Sequence, residues 1–331
     1  MLNPFFHRIF MRETQIRVWC LLVLAVTCLT GCAPEVSAQE TTNKSVKIVT
    51  KKEGDATRFF VHNLEQTEVT VTFEMELENL KGSLPLPYTA TFPANATTEA
   101  FALSPIDAGA HWSFSFTSHY TIGSTKAMHD DAYVYTLPFE AGAAFRVTQG
   151  FNGTYSHTGA DQYAIDFKMS AGTGVHAARE GRVVKIKDDS NQGGGDRKYV
   201  NCANYVLIKH SDGTIANYAH LAKGGARVKV GDYVRAGDLI AHSGSTGFSS
   251  GPHLHFSVFK TRDGKERVSI PVKFQTGNGS GMILAEGKTY KAIYRNTELP
   301  SPVIATMVPG VNAKRAEKPA QGSPTSVVPN K

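Results

Sequence analysis

Between Val69 and Leu77 the chain alternates strictly: Val69, Val71, Phe73, Met75 and Leu77 are apolar, and Thr70, Thr72, Glu74 and Glu76 between them are polar. Side chains on a strand point to opposite faces with period 2, so this run reads as a strand with one buried face and one wet one. Trp112, Phe114 and Phe116 repeat the pattern, and Pro, Asn and Gly separate the runs. Strands with such turn punctuation predict a β-sandwich of immunoglobulin-like type over residues 45–140.

Residues 141–295 also read as short strands: Arg182 to Lys187, Asn204 to Lys209 and Thr214 to Tyr218. Ser211-Asp212-Gly213 is a hairpin turn, because Asp-Gly supplies the positive φ of tight turns. The stretch from Gly231 to Asp238, followed by Leu239-Ile240, resembles the hairpin of barrel-sandwich folds, which lipoyl and biotinyl carriers also use. No modifiable lysine stands at its tip, which argues against a carrier. Val268 to Phe274 still alternates and predicts closing edge strands, whereas Gly193-Gly194-Gly195 predicts a flexible loop bordering a groove. Residues 296–331 lack periodic apolar positions and read as a disordered tail. Long helices are absent, so the expected class is all-β.

The N-terminus changes the picture from a cytosolic protein to an exported one. Arg8, Arg12 and Arg17 precede an apolar run from Val18 to Leu29, too short for a membrane span of about 20 residues but suited to a signal-peptide core. Met11 could equally be the start. Leu29-Thr30-Gly31-Cys32 resembles the bacterial lipobox, which makes residues 1–31 a lipoprotein signal peptide, Cys32 the lipidated residue and 32–44 a tether. Ala33 after the cysteine points to the outer membrane, facing the periplasm; the alternative is soluble secretion after Val36-Ser37-Ala38. Cys20 and Cys28 leave with the signal, so Cys202 is the single free thiol, read as a partly buried structural residue. With 331 residues, 41% hydrophobic, 19% charged and a net charge of +6, the rest is an ordinary globular chain. No dense basic stripe with interleaved aromatics suggests nucleic-acid binding.

The chemistry concentrates in the second half. His253 and His255 in Gly251-Pro252-His253-Leu254-His255-Phe256 share one face of a strand, a metal-site arrangement. Upstream stand Ser156-His157-Thr158-Gly159, then Tyr163 to Met169 including Asp166, then Gly172-Thr173-Gly174-Val175, and Tyr218-Ala219-His220-Leu221. Together these blocks, in this order over residues 145–275, resemble the lysostaphin-type (LytM-like) zinc metalloendopeptidases that act on peptidoglycan. The resemblance implies a β-rich peptidase domain built on a duplicated, barrel-sandwich-like hybrid motif. It implies one zinc per chain held by His157, Asp166 and His255, with a fourth position open to water. Asp161, four residues after His157, has the short spacing common in the family, whereas Asp166 lies nine after it. The frame Asp-Phe-x-Met-x-x-Gly-Thr favours Asp166, leaving Asp161 a solvated loop carboxylate.

His220 and His253 are the expected working pair, His253 as general base and His220 stabilising the transition state, with their roles exchangeable. Tyr218, two positions before His220, is read as sharing its face and donating to substrate. His62, His111, His119, His129, His176, His210 and His242 lack partners at ligand spacing and get no metal-binding role. The implied reaction is hydrolysis of peptidoglycan cross-links, of D-alanyl-diaminopimelate type. The alternative is a latent or non-catalytic regulator of other wall hydrolases, and any protein regulator of this chain is unidentified. The N-terminal domain could cover the zinc site, in which case a chain starting near Phe139 would be the more active.

Overall fold

The computed structural model describes residues 45–294; the signal, the tether with Cys32 and the C-terminal tail lie outside the described residues. Seven strands come first: β1 (Val46–Glu53), β2 (Ala56–Asn63), β3 (Val69–Glu78), β4 (Leu80–Gly82), β5 (Tyr88–Phe92), β6 (Ala96–Pro105) and β7 (Ser113–Ile122). They form two sheets, ordered β1-β2-β6-β4 and β5-β3-β7. Alternation produces the sandwich: in β2, Thr57, Phe59, Val61 and Asn63 are buried and the residues between them are not. Phe59 stacks on Phe101 at 4.7 Å and meets Phe116 edge-on at 5.4 Å, joining the two sheets through aromatic contacts. The immunoglobulin-like label remains a proposal about its topology.

The remaining strands are β8 (Val134–Thr136), β9 (Ala144–Gln149), β10 (Ile165–Lys168), β11 (Gly174–His176), β12 (Gly181–Lys187), β13 (Gly193–Gly194), β14 (Tyr205–Lys209), β15 (Ile215–Ala219), β16 (Tyr233–Val234), β17 (Leu239–His242), β18 (Gly247–Phe248), β19 (His253–Thr261), β20 (Arg267–Ser269), β21 (Lys273–Thr276), β22 (Gly279–Met282) and β23 (Thr289–Lys291). The central sheet runs β16-β12-β14-β15-β19-β10-β9-β23, with β20 pairing on β19. One face carries Val206, Ile208, Ala216, Tyr218, Leu254, Phe256 and Val258 into the main core. Tyr135, Leu137 and Phe139 belong to that core too, so the stretch just before residue 141 packs with the second half of the chain and not with the sandwich.

The opposite face of the same sheet does two jobs. Leu207, Ile215 and Phe259 pack with Val184 and with Ile122 at the end of β7. Farther along β19, on the same side by period 2, stand His255 and His253. The sandwich is tied to the β19–β20 end by Thr261 Oγ1 donating to the Ile122 carbonyl at 2.7 Å, Thr121 Oγ1 to the Asp263 carbonyl at 2.6 Å, and the Gly264 amide to Thr72 Oγ1 at 2.9 Å. Lys185–Glu65 at 2.9 Å, Lys209–Glu68 and Lys265–Glu74 add ion pairs.

Two expectations change. β16 and β17 do not pair with each other: β16 pairs β12 and β17 pairs β11, so the Gly231–Asp238 stretch carries an edge strand of the central sheet and then turns into a separate two-stranded sheet. The glycine loop is ordered, because β13 pairs in parallel with β18. A Cβ on Gly193 would lie 2.0 Å from the Ser245 carbonyl oxygen, so close backbone approach requires glycine there. The Asp-Gly hairpin holds, with Gly213 at φ +84° between β14 and β15.

Candidate metal centre

Strand register brings the ligands together. Asp166 on β10 is the direct cross-strand partner of His255 on β19. His255 Nδ1 lies 3.0 Å from Asp166 Oδ1, and His157 Nε2 lies 3.2 Å from the same oxygen. His157 arrives on the loop after β9; its side chain is fully buried and its Nδ1–H donates to the Gly150 carbonyl at 2.9 Å. The ligand atoms of His157, Asp166 and His255 all fall within 4.8 Å of one another.

The donor set fits a metal. With its Nδ1–H committed, His157 Nε2 presents a lone pair, and this buried atom has no hydrogen-bond partner. A lone pair facing a carboxylate oxygen calls for a cation between them. Two imidazole nitrogens and one carboxylate oxygen suit zinc, on which neighbouring ligand atoms lie about 3.3 Å apart. Burial works to raise the Asp166 carboxyl, but His157 and His255 outweigh it and hold it well below the usual carboxylate range. Burial likewise works to depress His157, and Asp166 reverses the shift upward. The pocket is thus built for one anion and a compensating positive charge.

Gln149 joins the ligands and was not legible in the sequence. Its Nε2 donates to Asp166 Oδ2 at 3.1 Å and to Ser156 Oγ at 2.7 Å, while its Oε1 accepts from the amides of Tyr155 and Ser156. One amide thereby orients the carboxylate and the histidine loop, as partners beyond the ligands commonly do. A lone glutamine near the end of a strand gives no sequence signal of such a role.

His220 and His253 stand beside the cluster. Their rings are 4.6 Å apart, and His220 lies 5.7 Å from His255. His220 Nδ1–H donates to the Thr246 carbonyl at 2.7 Å, and His253 Nδ1–H to the Gly251 carbonyl at 2.8 Å. Both therefore present bare Nε2 atoms, and His253 Nε2 is 3.8 Å from Asp166 Oδ1. Burial, reinforced by His253 and His255, pushes the His220 imidazole down to about 3. His220 also adopts φ +63°, a left-handed conformation held just past β15 that a non-glycine residue seldom takes.

That conformation overturns the expectation for Tyr218. β15 ends at Ala219, so alternation does not carry through to His220. Tyr218 points into the core, fully buried, and its hydroxyl accepts from the Ala178 amide at 2.8 Å, out of reach of substrate. Asp161 is likewise no solvated loop residue. It ends a 3₁₀ turn, Gly159–Asp161, and pairs with Arg267 at 3.0 Å, outside the ligand cluster. His176 and His210 bond the Gly237 and Glu180 carbonyls through Nδ1, and Cys202 is half-buried.

Residues 160–270 match the sequence profile of peptidase family M23. Over 124 residues the chain is 39% identical to lysostaphin of Staphylococcus staphylolyticus, a match taking in 37% of this chain and 24% of that protein. It is 34% identical over 117 residues to the peptidoglycan DD-endopeptidase ShyB of Vibrio cholerae, covering 34% of this chain and 25% of ShyB. Among solved structures, the catalytic domain of lysostaphin from Staphylococcus simulans is 30% identical, covers 38% of this chain and 87% of that one, and superposes with a TM-score of 0.28. The chain spans about a quarter to a third of the length of lysostaphin and similar curated relatives that it matches.

Proposed function

Because residues 160–270 are a peptidase family M23 domain, we propose that the chain is a zinc-dependent endopeptidase that hydrolyses peptide cross-links of peptidoglycan. The observation that carries this reading is the convergence of His157, Asp166 and His255 on one point, with His220 and His253 alongside. The first three would hold a single zinc and leave a position free. Bound there, zinc would supply Lewis acidity, polarising the scissile carbonyl and making water more acidic.

The chain's own residues manage the proton. His253, its Nδ1–H anchored on Gly251, offers Nε2 as the general base that takes the proton from water. His220 is neutral at physiological pH and has a bare Nε2, so it must gain a proton before it can donate to an oxyanion. The two rings thus work around one proton, and whichever receives it becomes the donor. The similarity to DD-endopeptidases supports the D-alanyl-diaminopimelate bond as the target. Purified cross-linked muropeptide dimers should be converted to monomers; a protein that holds zinc and leaves them intact would be a regulator instead.

The lipid on Cys32 is the proposed anchor, holding the enzyme on the outer membrane facing the periplasm and within reach of the stems. Cys32→Ala should move the protein from the membrane fraction to the soluble periplasm, and unchanged membrane association would refute the anchor.

A further inference from the structure

Tyr155 is 62% exposed although it stands two residues before His157. Its ring stacks on Phe248 with centroids 5.7 Å apart and planes at 14°. The Arg197 guanidinium lies 5.4 Å from the centroid of the same Phe248 ring. Three segments distant in sequence therefore build one aromatic and cationic platform.

The platform shares its supports with the metal centre. Gln149, which holds Asp166, also fixes the Tyr155 amide. Thr246, two residues before Phe248, gives its carbonyl to His220, and the Ser249 hydroxyl just after it lies 3.3 Å from His253 Nδ1. The parallel pairing of Gly193 and Gly194 with Gly247 and Phe248 brings the Arg197 arm alongside. Platform and imidazoles are thus held in fixed relation.

Its chemistry is selective. The exposed Tyr155 ring and the half-buried Phe248 beneath it offer contact area to aliphatic groups beside a hydrolytic centre. Arg197 is exposed and makes no ion pair among the described residues, whereas the neighbouring Lys198 is paired with Asp196 at 3.4 Å. A guanidinium over a ring, without a carboxylate of its own, is set for bidentate pairing with a carboxylate brought by a ligand.

We infer that Tyr155, Phe248 and Arg197 form a specificity subsite for a peptide arm bearing a free carboxylate. The rings pack on the aliphatic part of the arm and Arg197 pairs with its carboxylate. Assigning this arm to a peptidoglycan stem rests on the endopeptidase reading; the preference for a carboxylate does not depend on turnover.

The test measures binding, not cleavage. Zinc-loaded full-length protein carrying His253→Ala is titrated with a fluorescently labelled cross-linked stem peptide, once with free stem carboxylates and once with those groups amidated. Adding Arg197→Gln should weaken binding of the free-acid peptide about tenfold and leave the amidated peptide unchanged. Adding Tyr155→Ala should weaken both alike. Equal effects of Arg197→Gln on the two peptides, no effect on either, or no binding of the free-acid peptide would overturn the subsite. Failure of the wild type to cut peptides that still bind with this preference would count against the endopeptidase reading alone.

Discussion

At Asp166 a single carboxylate oxygen faces His157 and His255 while Gln149 holds the other oxygen, so each neighbour contributes in a separable way. Asp166→Asn should abolish zinc retention and lower hydrolysis at least ~100-fold, whereas Asp161→Asn, away from the cluster, should keep zinc at the wild-type level by elemental analysis. Gln149→Ala should weaken zinc affinity about 10- to 100-fold in chelator competition, since it removes an orienting partner and not a ligand. A different effect belongs to His210, which is 2% exposed and held by burial in its neutral form, its pKa pushed down to about 4. The unfolded chain binds a proton below about pH 6.5 that folded His210 takes up only near 4, so stability is lost as pH falls through that window, by about 3 kcal/mol. Urea unfolding of the zinc-free protein should show this acid-side slope, and His210→Gln should flatten it; identical slopes would refute the assignment. The clustering of His157, Asp166 and His255 was expected from the blocks that resemble the lysostaphin-type family, whose H-x-H and Asp166 frames are local. His220's left-handed backbone and the Gln149 bridge were not, because each depends on contacts between residues far apart in the fold.

Among the elements, β19 does the most positioning, and its period-2 alternation was legible: Leu254 and Phe256 enter the core while His253 and His255 face the other way. Its register with β10, which pairs Asp166 with His255, could not be read from composition, because pairing partners are set by the whole sheet. Tyr218 shows the limit of extrapolating alternation past a strand end, since the chain turns at His220. The glycine run misled in the same way, its composition suggesting flexibility where backbone approach was the reason. Gly193→Ala should disturb Ser245 and Thr246, and with them His220, lowering activity at least ~10-fold and stability by about 1–3 kcal/mol. Gly195→Ala, whose Cβ would meet nothing within 4 Å, should be neutral in both assays.

For the molecule as a whole, the sandwich packs on the same sheet face as the metal centre but at the opposite end of β19, through Phe259, Thr261 and the Gly264 turn. The two-sheet architecture followed from the alternation of β2 and β3; that it docks by a turn seated on Thr72 and His119 did not, because long-range contacts leave no local pattern. A Cβ on Gly264 would lie 2.3 Å from the Thr72 nitrogen, so Gly264→Ala should cost about 1–3 kcal/mol in thermal or urea unfolding. These contacts fall away from the ligand cluster, so shortening the chain to start at Ser124 should bring no gain in hydrolysis and should lower Tm by exposing Leu207, Ile215 and Phe259. A several-fold gain would show that the sandwich covers the site. The central claim, one zinc held by His157, Asp166 and His255 and used by His253 for hydrolysis, is tested most directly by measuring zinc content and peptide release together. On diaminopimelate-type sacculi, wild type should hold about one zinc and release peptides, His253→Ala should keep zinc without release, and His255→Ala should lose both. Full release by His255→Ala, or wild type without bound zinc, would contradict it.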